Sequence, residues 1–145
     1  MTTPYSLNRQ AIVNRVYTHF IVNNEKAGRE SGNRCVFHGE DDNGHAVACA
    51  IGIFDESHYL DGPYRDWPVY DLAADTLSSV FGQELTIDDI NFLGCIQAEH
   101  DLAVLYAFHA DKDDHQGFDT HFITDLDRRL LRFAQEFSLN PPSTH

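Results

Sequence analysis

Three cysteines, one methionine, one tryptophan and five prolines in 145 residues leave little room for several common functional devices. Cys35, Cys49 and Cys95 are odd in number, and no two stand as Cys-x-x-Cys, which excludes a zinc ribbon or a thioredoxin-like motif at the level of pattern. Long apolar runs are absent: the longest, Ala46 to Phe54, falls far short of the ~20 residues a bilayer span requires. Basic residues are scarce, ten against twenty-three acidic ones, so no basic face is available for nucleic acid, and the charge opposes anionic lipid. A Gly-rich phosphate loop, a Gly-x-Ser-x-Gly elbow and a His-Glu-x-x-His pair are all missing, which argues against a nucleotide-dependent enzyme. The polar opening, Met1 to Gln10, does not read as a secretion leader, and with an odd cysteine count the cytoplasm is the expected compartment.

What is present is enough for a core without staples. Hydrophobic residues make up 42% of the chain and aromatics 12%, mostly Phe and Tyr. A domain of this length hides roughly 68–70% of the surface its unfolded chain exposes. One domain spanning residues 1–145 is expected, with an ordered core over 6–139 and a frayed end over 140–145, where Pro141-Pro142 stands. The net charge of −13 is unevenly placed. From Cys35 to Asp127 twenty acids face only Arg65 and Lys112, a balance of −18, whereas the segments before and after are mildly basic at +3 and +2. Such a body repels nucleic acid and raises encounter rates with cationic partners.

Hydrophobic spacing predicts a mostly helical α+β fold, with helices packed around a small β-hairpin or short antiparallel sheet. Ala11, Ile12, Val16, Phe20 and Ile21 give a first helix over Leu7–Lys26, with Ser6 as N-cap and Gly28 and Gly32 past its end. Cys35 to His38 and His45 to Ile51 read as two strands joined by the turn Gly39–Gly44, which contains the favoured Asn43-Gly44 pair. A second helix is expected over Tyr70–Phe81. A third starts at Thr86, where Thr86-Ile-Asp-Asp89 resembles a capping box, and extends to about Ala107 unless it breaks near Asp101. His109 to Gly117 reads as an acidic loop. A last helix over Phe118–Phe137 carries the stripe Phe122, Leu126, Leu130, Phe133 and Phe137.

Three segments combine residues of chemical interest: Cys35-Val-Phe-His-Gly39, Cys49-Ala-Ile-Gly52 and Gln97-Ala-Glu-His-Asp101. Together they resemble the signature of a family of small bacterial and phage proteins. That signature runs Cys-x-aromatic-Arg-Gly, then Cys-Ala-hydrophobic-Gly leading into an acidic-aromatic stretch, then Gln-x-x-His-Asp on a Leu-rich helix. The matching positions are Cys35, Phe37, Gly39, Cys49, Ala50, Ile51, Gly52, Asp55, Glu56, Tyr59, Gln97, His100 and Asp101, and the resemblance covers most of Leu7 to Leu139. His38 stands where the signature has Arg, and the turn Glu40-Asp41-Asp42 is unusually acidic. The resemblance implies a phage or mobile-element context and supports the fold; the family has no established activity, so it assigns no catalytic residue.

From the residues alone, three chemistries present themselves. Cys49 as nucleophile, His100 as base and Asp101 or Gln97 as orienting group would make a cysteine hydrolase, since a thiolate near an imidazole is the attacking species. Against this, Cys49 lies in the most apolar run, and neighbours on a helix such as His100 and Asp101 are expected to point about 100° apart and not to bond each other. Cys35, His38, Cys49 and His100 are the ligand types of a tetrahedral zinc site, although their spacing matches no zinc signature. Cys35 and Cys49 would also suit a disulfide if the hairpin brings them together. The stretch His109 to Gly117 with Asp119 and His121 could take a divalent cation but is not an EF-hand, because Gly117 comes one place late and Phe122 holds the twelfth position.

The charge favours binding over catalysis. Glu40, Asp41, Asp42, Asp111, Asp113 and Asp114, all in expected loops, are the candidate contacts for a protein partner with a basic surface. Tyr64 and Trp67, in an irregular aromatic cluster with Tyr59 and Tyr70, are candidate anchors. No cofactor, direct nucleic-acid contact or membrane contact is expected. Protonating all nine histidines would move the charge from −13 to −4, which would make an interaction of this kind pH-dependent.

Overall fold

The structure, a computed structural model, describes residues 7–30, 34–41, 43–64 and 66–142, apart from the side chains of Pro63 and Tyr70. Ser6 as N-cap, Gly32 as helix stop, the contact acid Asp42 and the last three residues of the tail lie outside the described residues.

Helix α1 runs Arg9–Tyr17 because Asn8 caps it: the Asn8 side chain accepts from the Ala11 N–H at 3.0 Å. Ile12, Val13 and Val16 face the core. The expected helix to Lys26 continues only as a π-helical turn, Thr18–Val22, which rotates Phe20 fully into the core, and the chain leaves it through Asn24 at φ 55°.

The expected hairpin forms in a shorter version, its first strand shifted toward the turn, and a second small hairpin precedes it. Strands β1 (Arg29–Glu30) and β2 (Arg34–Cys35) pair antiparallel with Arg29 opposite Cys35. Strands β3 (His38–Glu40) and β4 (Ala46–Ala48) pair antiparallel with Gly39 opposite Val47. The segment Cys35 to His38 is therefore not one strand. Consecutive Val36 and Phe37 are both buried, which an alternating strand with one solvent face cannot achieve. The break is bridged by backbone bonds from Val36 N to the Gly28 carbonyl and from Cys49 N to the Phe37 carbonyl. Gly28 and Gly52 sit at these crossings. A Cβ on Gly28 would collide with the Ala48–Cys49 backbone, and one on Gly52 with the Phe37 carbonyl.

Three 3-10 turns, Gly52–Phe54, Gly62–Tyr64 and Val69–Asp71, carry the chain to α2, Ala74–Phe81. The second helix thus starts later than expected, after an extended Leu72-Ala73. Helix α3, Ile87–Asp114, opens with the expected capping box: Thr86 accepts from Asp89 N while Asp89 accepts from Thr86 N. Asp89 is fully buried and also accepts from Leu7 N, tying the N-terminal segment to the start of α3.

Helix α3 runs 28 residues, seven beyond the expected Ala107, so the stretch from His109 to Asp114 is helix and not loop. Its acids end the helix by accepting bonds from the turn that follows: Gly117 N donates to Asp111 and Gln116 N to Asp114, while His115 takes the left-handed conformation. Helix α4, Phe118–Glu136, packs along α3 and buries Phe122, Leu126, Leu130 and Phe133 as its stripe predicts, whereas Phe137, expected in the same stripe, caps the helix end and is half-buried. The fold is mostly helical α+β, with α1, α3 and α4 around one hydrophobic cluster that the hairpins cap. Among the described residues no helix is long and apolar enough to cross a membrane.

Candidate functional site

The three sequence segments converge. On α3, Gln97, His100 and Asp101 face the hairpin strands, and the Gln97 and His100 side chains are buried. Gln97 receives the Ile51 N–H on Oε1 at 3.0 Å and donates its amide to Asp101 at 2.8 Å. His100 has no exposed surface, lies against the rings of Phe20 and Phe122, and bonds Asp101 through Nδ1 at 2.8 Å. This corrects the expectation that the adjacent pair would diverge. A helical Cα–Cβ bond tilts toward the N-terminus, so the short Asp101 side chain leans back to where Gln97 and the His100 ring both reach it.

The other His100 nitrogen, Nε2, accepts the Gly28 N–H at 3.0 Å. An atom that accepts cannot also carry the ring proton, so that proton sits on Nδ1 and is donated to Asp101. Both nitrogens are thereby engaged, one by the backbone before β1 and one by a carboxylate. A base needs a free lone pair, and so does a metal ligand. Neither is offered here.

The two thiols lie beside this node. A cleft of about 240 Å³ is bordered by Cys35, Cys49, Gln97 and Asp101 on one side and by Trp67, Pro68 and Val69 on the other. Cys49 is fully buried, and desolvation pushes its thiol up to about 12, against the opposing bonds from the Gly52 and Ile51 N–H groups and Gln97. Cys35 is raised as well, first by burial and then by the nearby Asp101 charge. A thiol held protonated is a poor nucleophile, so the geometry lends no support to Cys49 attacking with His100 as base. None of Cys35, Cys49 and Cys95 is in a disulfide.

The quartet read as zinc ligands is divided. Cys35 and His100 remain close, with Asp101. His38 instead turns to Asp55, bonding it through Nε2 at 3.1 Å, because Asp55 is buried and already shaped by accepting the Tyr59 and Leu60 N–H groups. Asp55 stood in the sequence only as a position of the family signature, and nothing in the spacing paired it with His38.

The acidic candidates fall into two kinds. Glu40 and Asp113 are exposed. Asp41, Asp111 and Asp114 also shape turns: Asp41 accepts from the Asn43 and His45 N–H groups, both at 2.9 Å, which with the bonds to Asp111 and Asp114 closes the two turns. His121 adds a bond to Asp114 at 2.8 Å and depresses its carboxyl below the usual range, and the backbone bond from His45 does most to depress that of Asp41.

These turns are far apart in sequence yet border one groove of about 380 Å³. Asp41 and Asn43 lie on one wall, Gly117 and Asp119 on the other, and Lys26 between them bonds Asp119 at 2.9 Å. Trp67 is 43% exposed and meets the Tyr64 ring edge-on at 5.0 Å, on the cleft and not on the groove, so the aromatic and acidic candidates occupy separate places. No protein-family model matches the chain, and no curated protein or solved structure is similar to it.

Proposed function

We propose that this protein is an acidic binding module that engages a basic protein surface, of the accessory type that phages and mobile elements carry against host or defence proteins, acting in the cytoplasm. One observation carries the reading. The acidic β3–β4 turn and the α3–α4 turn, more than sixty residues apart, face each other across a groove that already seats the Lys26 ammonium between Asp119 and Asp41. A groove that already holds one cationic side chain, with Glu30, Asp41 and Asp119 in its lining and the exposed Glu40 and Asp113 elsewhere on the acidic surface, suits Lys or Arg side chains of a partner that itself holds nucleic acid. The signature residues Cys49, Gly52, Gln97, His100 and Asp101 then belong to the scaffold: they lock hairpins to α3 and leave recognition to the surface.

The test is a partner recovered by pull-down from host lysate and then measured with purified components. Affinity is expected to fall steeply between low and high salt, and to weaken when Glu40 and Asp113 are changed to Gln and Asn. Binding that ignores both salt and these substitutions would overturn the reading.

A further inference from the structure

We propose that His38, His58 and Asp61 form a site for a divalent transition-metal ion of the zinc class. One donor atom from each of the three lies within 4.8 Å of the others. The imidazole rings of His38 and His58 face each other with centroids 4.2 Å apart and planes inclined by 30°. The ligand set, two imidazoles and a carboxylate, is the borderline nitrogen and oxygen chemistry that zinc and its neighbours take.

Both histidines are prepared for this role by carboxylates. Asp55 is buried and fixed by two backbone N–H groups, so it accepts from His38 Nε2–H, and the ring's lone pair is then on Nδ1. A ligating histidine backed by a carboxylate through its other nitrogen is the usual arrangement at metal centres. His58 Nδ1 stands 3.0 Å from Asp61 Oδ2. That separation suits two ligands of one ion as well as it suits a hydrogen bond: on binding, His58 takes its other tautomer, its ring proton moving from Nδ1 to Nε2 through solvent, and Nδ1 and the carboxylate are left to the ion. The loop is shaped to present the pair: His58 sits at φ 58°, a left-handed conformation a residue with a Cβ seldom adopts, and its N–H is held by the Asp55 carbonyl.

The His58 and Asp61 side chains are about half exposed, so they can close on an ion at ~2.0–2.2 Å and leave its remaining position to water. This site shares only His38 with the cysteine-based quartet, and it does not depend on partner binding.

The experiment uses the tag-free full chain, stripped with chelator and titrated with zinc by calorimetry, and with cobalt by visible absorption. One equivalent should bind. Cobalt should give a spectrum without a thiolate-to-metal charge-transfer band. His58→Ala and Asp61→Asn should each weaken zinc binding by more than about tenfold, with unchanged far-ultraviolet dichroism, while His109→Ala leaves it as it was. Absence of binding, variants that bind zinc as tightly as the parent, or a thiolate band marking Cys35 and Cys49 as the ligands would each overturn the proposal.

Discussion

Replacing His100 with Phe separates a structural clamp from a reactive group. The Phe ring fills nearly the same space between Phe20 and Phe122, so packing changes little. What is lost is the bond from Gly28 N–H and the bond to Asp101. Asp101 keeps Gln97, and its side chain is 42% exposed, so water compensates there. The Gly28 N–H is buried and would have no partner, which costs about 1–3 kcal/mol. His100→Ala removes the ring as well and adds a cavity of the kind that costs about 2–5 kcal/mol in cores. Urea unfolding followed by circular dichroism reads both: with a slope of ~1–3 kcal/mol/M, the Phe variant should lose about 1 M of midpoint and the Ala variant clearly more. Amide exchange at Gly28 should accelerate in both. A Phe variant as stable as the parent, with Gly28 exchange unchanged, would refute the clamp. A gain in stability would point to a strained functional histidine instead.

Cys49 should resist iodoacetamide at neutral pH until the protein unfolds, with mass spectrometry locating the label; rapid selective modification would contradict its burial. Its thiol is raised in the folded state from 9.0 to about 12, so the unfolded chain ionises first. The stabilisation is complete below pH 9 and is lost as pH climbs toward about 12, so the urea midpoint of the parent should fall over that window more than that of Cys49→Ala. Gly52→Ala should cost more than about 3 kcal/mol or prevent folding, because its Cβ meets the Phe37 carbonyl, a backbone atom that cannot rotate away. Thr86→Ala should lower stability by about 1 kcal/mol as a lost cap, and Asp89→Ala by more, because Asp89 is buried and also holds Leu7 N; equal losses in thermal melts would count against that tie.

The elements the sequence revealed are those whose signal is local. The stripe from Phe122 to Phe133 is a period of one helix, and the capping box needs only Thr86 and Asp89. The convergence of Cys35, Cys49, Gln97, His100 and Asp101 was visible as a constellation, though not how its atoms bond. The Gly28 N–H that occupies His100 is seventy-two residues away, and no spacing rule reports a backbone partner at that distance.

The acidic end of α3 was misread for a related reason. Asp113, Asp114 and their neighbours disfavour a helix terminus by the dipole, and only the return of the chain at Gln116 and Gly117 supplies the donors that offset it. Val36-Phe37 read as strand because both are apolar; two buried neighbours in succession signal a crossing between sheets only once Gly28 and Gly52 are known to lie against them. The pairing of His38 with Asp55 was hidden in the same way: the sequence offered His38 as a zinc ligand and Asp55 as a signature position, and no spacing rule joins two residues seventeen apart across a turn.

Recognition by negative surface is tested most directly by measuring the dissociation constant for the recovered partner across a salt series, for the parent and for the Glu40→Gln, Asp113→Asn double variant. The account predicts a steep loss of affinity with salt for the parent, and a weaker, flatter dependence for the variant. Identical, salt-independent affinities would contradict it.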